Sequence, residues 1–187
     1  AACDHRIIMG TLDGRLVAVD AKDGKPCDDF GDHGHVSLRE GLGEFAQQEY
    51  SVTSPPAILH DRIITGAMVL DRTHNHMPSG VVRAYDVRTG SLRWTFHVVP
   101  RPGEPGLESW EQRSWRDTGS AKAWSLMSAD PELGYLYVPL SSAANEWYGG
   151  QRPGANLYSD SLVCLDAKTG ELKWHYQLVH HDLRDYD

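Results

Sequence analysis

The densest concentration of reactive side chains in this sequence is His180-His181-Asp182-Leu183-Arg184-Asp185-Tyr186-Asp187. A carboxylate in such a cluster can take a proton from a substrate hydroxyl if a partly dry pocket or a nearby cation tunes its pKa. On bare sequence the competing reading of Asp185 is a turn or surface carboxylate. The second chemically suggestive side chain is Trp124, 61 positions before Asp185. Its indole face could stack on a flat ring, or it could be an ordinary core tryptophan. The histidine pairs invite a metal reading. His74 and His76 lie in a polar insertion and are expected to be solvated. His180 and His181 are adjacent, so on a strand they point to opposite faces and cannot easily share one ion. One of them is expected to face a pocket.

Composition narrows the function classes. The chain has 187 residues, 40% hydrophobic and 24% charged, enough for one globular domain. Its net charge of −8 argues against a nucleic-acid partner, which requires a basic face. No apolar run approaches the ~20 residues of a membrane helix, and the N-terminal residues do not read as a signal peptide. Cys3, Cys27 and Cys164 are too few and too scattered for a metal cluster. Three buried thiols are the favoured expectation, with one disulfide and one leftover cysteine as the alternative.

The elements that must position these groups read as strands. Short β-branched and apolar runs such as Arg6–Met9, Leu16–Val19, Arg62–Thr65, Val81–Tyr85, Tyr135–Val138 and Ser161–Leu165 are bounded by Gly, Asp and Pro. No 3.6-residue apolar period is sustained, so the chain is expected to be all-β. An internal repeat organises it. Ala84-Tyr85-Asp86-Val87-Arg88-Thr89-Gly90-Ser91-Leu92-Arg93-Trp94 matches Cys164-Leu165-Asp166-Ala167-Lys168-Thr169-Gly170-Glu171-Leu172-Lys173-Trp174, and a degenerate copy near 18–28 lacks the Trp. Each copy reads as strand, turn, strand. The Asp can bond its own turn, the Gly supplies a positive φ, and the Trp can dock between neighbouring sheets. Repeated docking hairpins predict a β-propeller, with an ordinary β-sandwich as the alternative. The copies lie 66 and 80 residues apart, so insertions are expected, notably 98–106 and 145–156.

The Asp-x-x-Thr-Gly-x-x-x-Trp hairpins resemble the tryptophan-docking motifs of pyrroloquinoline-quinone (PQQ)-dependent dehydrogenases. Cys3 to Pro26, Thr53-Ser54-Pro55-Pro56, Tyr148-Gly149-Gly150-Gln151-Arg152 and Val179-His180-His181-Asp182-Leu183 resemble segments of the glucose dehydrogenase branch. The resemblance implies an eight-bladed propeller. The chain, 1–187, would cover somewhat under half of it as a partial PQQ-binding domain and would be inactive alone. It implies oxidation of a sugar, D-glucose to gluconolactone foremost, with electrons passed to a quinone or cytochrome. Quinate, a primary alcohol or a non-catalytic scaffold are the alternatives. It also implies a periplasmic location, with membrane association only through parts outside this chain. By the same resemblance Asp185 is the general base and Trp124 the floor under the quinone. Thr53 and Ser54 bind cofactor carboxylates or simply build the turn before Pro55. Asp71 and Asp187 are candidate ligands for calcium or magnesium, with a lanthanide left open. Arg184 stands where relatives carry Trp, and Ser142 stands at a position where methanol-dehydrogenase relatives carry an Asn that binds calcium.

Overall fold

Repeated turn chemistry sets the architecture. In the computed structural model, which describes residues 3–70, 74 and 76–184, antiparallel sheets follow one another in chain order. The first comprises β1 (Arg6–Gly10), β2 (Arg15–Asp20) and β3 (His35–Ser37), in that order. Next come β4 (Tyr50–Ser51), β5 (Ala57–Leu59), β6 (Arg62–Thr65), β7 (Met68–Val69), β8 (Val82–Asp86) and β9 (Leu92–Phe96). Of these, β4 pairs with β7 as a short ribbon, and the other four form the second sheet in the order β5-β6-β8-β9. The third sheet is β10 (Ser128–Asp130), β11 (Tyr135–Leu140), β12 (Ser161–Asp166) and β13 (Leu172–Gln177), each beside the next. Helix among the described residues is confined to short 3-10 segments. The expected all-β class holds.

The predicted turns form as their residues dictate. Asp86 Oδ1 accepts from the backbone N–H of Arg88 and Thr89, Asp166 Oδ1 from those of Lys168 and Thr169, and Asp20 Oδ1 from that of Lys22. Gly24, Gly90 and Gly170 close these turns at φ of 73°, 71° and 77°. In both full copies the return strand shifts register at the same place, after Ala84 and after Cys164. Trp94 therefore lies opposite Ala84, and Trp174 opposite Cys164.

Docking of Trp94 joins the second sheet to the third. Its Nε1–H donates to the Ala167 carbonyl at 3.0 Å. Its ring covers Gly170 so closely that an added Cβ there would fall 2.6 Å from Trp94 Cδ2. The first junction does the same work with other groups. Gly34 lies across from Ala18, where the other copies carry Trp. Val36 and the edge of Phe30 cover Gly90. Arg6 Nη1 donates to the Val87 and Arg88 carbonyls, and the Gly31 N–H donates to Thr89 O at 2.9 Å.

The second sheet is buried on both faces. Neighbouring residues of a strand face opposite ways. Ile63 packs with Leu16, Phe30, Tyr50 and Tyr85, whereas Ile64 packs with Val82, Trp94, Leu136 and Val163. One expectation needs correction. Cys3 and Cys27 form a disulfide, leaving Cys164 as a buried free thiol, so the three-thiol reading fails. Parity of three cysteines cannot choose between these outcomes; proximity of β1 to the loop after β2 does. The expected insertion 145–156 lies between β11 and β12, and Glu146, Arg152 and Asn156 within it are fully buried.

Gly24 and Gly170 offer a matched test of docking. A Cβ at Gly24 meets nothing within 4 Å, so Gly24→Ala should cost only the left-handed backbone penalty of about 1–2 kcal/mol. Gly170→Ala should cost that plus about 1–3 kcal/mol of overpacking against the indole. Urea unfolding of both variants checks the difference; equal losses would mean that the indole is not clamped there.

Candidate active site

β5 and β10, the first strands of the second and third sheets, are neighbours. The connections leading into them therefore reach the same end of the sheets. Thr53 and Ser54 precede β5, Trp124 precedes β10, and the three meet there. Thr53 Oγ1 and Ser54 Oγ both donate to the Trp124 carbonyl, at 3.3 and 2.6 Å. Gly66 permits this approach, since an added Cβ would fall 2.1 Å from the Ala123 carbonyl oxygen. Each hydroxyl carries one proton, and in this arrangement that proton holds the Trp124 backbone.

Trp124 is half-buried and lines an open cleft of about 240 Å³ together with Ser125, Ser142, Asp160, Val179 and Asp182. Neither carboxylate in this cleft was a sequence candidate. Ser142 Oγ lies 2.8 Å from Asp160 Oδ1 and 2.9 Å from Asp182 Oδ2. A single hydroxyl proton cannot be donated to both, so one contact is fully satisfied only when that carboxyl is itself protonated. Asp160 is the group disposed to hold the proton. Burial pushes its carboxyl above the ordinary range and the nearby Asp182 charge adds to this, against hydrogen bonds from Ser142 and Ser159 and the attraction of Arg152. Its second oxygen, Oδ2, is buried without a hydrogen-bond partner.

Arg152 organises the surrounding loops. Its Nη1 donates to Asn156 Oδ1 at 2.8 Å, and its Nη2 donates to the carbonyls of Asn145 and Asp182. It therefore ties the 145–156 insertion to the segment returning from β13. Burial disfavours the guanidinium's charge, while Asp160, Asp182 and Glu146 favour it. The same segment is anchored by the Leu178 N–H on Asp160 O at 2.7 Å and the His181 N–H on Ala155 O at 3.2 Å.

His180 and His181 are placed differently from expectation. His180 and His181 lie on a turn, with His181 at φ 51°, so strand alternation does not apply to them. His181 Nδ1 reaches Gly154 O at 2.8 Å and Asn156 Oδ1 at 3.0 Å. Both partners are acceptors, which assigns the proton to Nδ1. Neither imidazole lines the cleft. His74 and His76 are both exposed, as expected, and His74 in addition pairs with the buried Glu49 at 2.8 Å. Among the described residues no group of three or more His, Cys, Asp or Glu could hold a metal. Asp71, Asp185 and Asp187 lie outside the described residues.

Comparison with known proteins gives one consistent result. Residues 1–187 match the family described as PQQ: glucose/ethanol/alcohol dehydrogenase, β-propeller domain. The chain is 41% identical to a quinate/shikimate dehydrogenase (quinone) of Acinetobacter baylyi, over 99% of this chain and 23% of that protein. It is 35% identical to the quinoprotein glucose dehydrogenase of Escherichia coli, over 100% of this chain and 23% of that protein. Among solved structures, the quinohemoprotein alcohol dehydrogenase of Comamonas testosteroni superposes with a TM-score of 0.80 at 30% identity, covering 97% of this chain and 27% of that one. The chain thus spans about a quarter of the length of the relatives it matches.

The raised Asp160 carboxyl sets a pH dependence. A carboxyl whose pKa is higher folded than unfolded stabilises the fold fully below its unfolded value, near 3.8, and loses that contribution as pH rises through its folded value. Asp160→Asn removes the titration. Its stability relative to the unaltered protein should therefore rise as pH is raised from about 3.5 toward 7. Urea midpoints across that range check this; a pH-independent difference would mean that Asp160 titrates normally.

Proposed function

We propose, from the premise that this chain belongs to the PQQ-dependent glucose/ethanol/alcohol dehydrogenase β-propeller family, that the protein oxidises a hydroxyl of a small polyhydroxylated substrate. D-glucose, oxidised at the anomeric hydroxyl to gluconolactone, is the leading substrate. Quinate is the second reading, favoured by the 41% identity to the quinate/shikimate enzyme. The observation that carries the proposal is the meeting of Thr53, Ser54 and Trp124 beside the Ser142–Asp160–Asp182 cleft.

The residues present suit the family's cofactor. A half-buried indole borders an open cleft, with hydroxyl and carboxylate oxygens beside it, one of them Asp160 Oδ2 without a partner. Hard oxygens of this kind suit calcium or magnesium. Bound PQQ supplies the hydride acceptor, the redox step that side chains cannot perform. Trp124 offers a stacking face, and Thr53 and Ser54 hold the backbone that carries it. Asp185 takes the proton from the substrate hydroxyl. Asp182, three positions earlier in the sequence, is fixed by Ser142 and Arg152. Asp71 and Asp187 are the proposed further ligands of the divalent cation.

Electrons leave to a quinone or cytochrome acceptor. A periplasmic location fits the Cys3–Cys27 disulfide, a bond that oxidising compartments sustain.

Dye-linked turnover with PQQ and calcium tests the proposal in the full-length protein. Asp185→Asn should lower turnover by at least 10²-fold, the scale of general-base catalysis, while PQQ still quenches tryptophan fluorescence. Retained turnover would remove Asp185 from the base role. Glucose and quinate compared at equal concentration decide the substrate.

A further inference from the structure

The degenerate first hairpin leaves a wider space than the Trp94 junction, where a cleft of about 400 Å³ remains beside Gly170. Where the indole of Trp94 covers Gly170 between the second and third sheets, the first junction has Val36 and the edge of Phe30 over Gly90. The result is an open cleft of about 860 Å³ between β3 and the β8–β9 hairpin. This is within the size range of metabolite sites. It lies on the hairpin side of the sheets and shares no lining residue with the Trp124 cleft.

At this cleft sits Arg83, a β8 residue only 7% exposed. Its Nη1 donates to the Leu38 carbonyl at 3.0 Å, but its Nε is buried with no hydrogen-bond partner. Among the described residues no carboxylate forms an ion pair with it. A buried cation without a counter-charge is costly unless something pairs with it. The cleft also holds Tyr85, His35, His97 and Arg101, with the hydroxyls of Ser37, Ser91 and Thr95 along its walls. The acidic residues that line it, Asp32 and Glu40, are exposed and form no ion pair with the guanidinium, which hydrogen-bonds Tyr85. Glu104 holds His97 at 2.7 Å and so fixes one wall.

We propose that this cleft, opened by the missing docking tryptophan, binds a small polyhydroxylated oxyanion, a sugar acid or a sugar phosphate. The planar fork of Arg83 takes the oxyanion, as guanidinium groups take carboxylate and phosphate. The Ser37, Ser91 and Thr95 hydroxyls take the polyol. The site is independent of the redox reading, because its occupancy needs neither PQQ nor turnover.

Calorimetric titration of the full-length protein with gluconate, glucose 6-phosphate and inorganic phosphate tests it. Saturable binding of gluconate or glucose 6-phosphate is expected, and the better of the two identifies the oxyanion. Arg83→Gln should weaken that binding at least about tenfold, a loss of ~1.4 kcal/mol. Ser37→Trp, a change at an exposed edge-strand position that obstructs the cleft, should do the same. If Arg83→Gln fails to fold, Ser37→Trp decides alone. Absence of saturable binding, unchanged affinity in Ser37→Trp, or inorganic phosphate binding as tightly as either sugar derivative would overturn the proposal. Any of these results leaves the oxidation reading untouched.

Discussion

The indole of Trp94 over Gly170 is the contact on which the arrangement of the sheets depends. It combines a large apolar area with one directed hydrogen bond to Ala167, so it fixes both distance and rotation between the second and third sheets. At the opposite end, β5 and β10 approach each other directly. With one clamp on the hairpin side and one contact between first strands, little freedom remains. That is why hydroxyls from residues 53 and 54 can meet a carbonyl some 70 positions away.

Polar groups carry the rest of the order around the Trp124 cleft. Arg152, Asn156 and Asp182 link two irregular segments, the 145–156 insertion and the stretch after β13. A satisfied network of this kind rigidifies, whereas losing one member strands the others in a low-dielectric setting. Three carboxyls, Glu146, Asp160 and Asp182, surround this one guanidinium. The excess of negative charge gives the raised Asp160 carboxyl a physical reason, in addition to its burial.

Some of this was legible in the sequence and some was not, for identifiable reasons. Turn chemistry is local, so the Asp and Gly of each hairpin announced the strands on either side. The docking role of Trp94 followed from its fixed offset. Thr53, Ser54 and Trp124 were singled out by family resemblance, and the structure brings the three together; their proposed contact with cofactor is a separate matter. The replacement of Trp by Val36, Phe30 and Arg6 was invisible, because those residues lie far apart in the chain and share no pattern. The burial of Arg152 within the expected 145–156 insertion was not legible. Gly, Pro and Asn around it read as a solvated loop, and burial of a guanidinium depends on acceptors that only tertiary structure supplies. His181 was misplaced by assuming a strand where the chain turns.

The Cys3–Cys27 bond bears on the order in which the molecule comes apart. The first sheet has three strands rather than four, and its junction lacks the indole clamp. Cross-linking residues 24 positions apart lowers the entropy of the unfolded chain, an effect on the order of 3 kcal/mol. The stabilisation falls on the sheet that has one strand fewer and no indole clamp. A thiol reductant would therefore loosen the first sheet while the Trp94-clamped pair stays folded, making the redox poise of the surroundings a determinant of whether the Arg83 cleft exists at all.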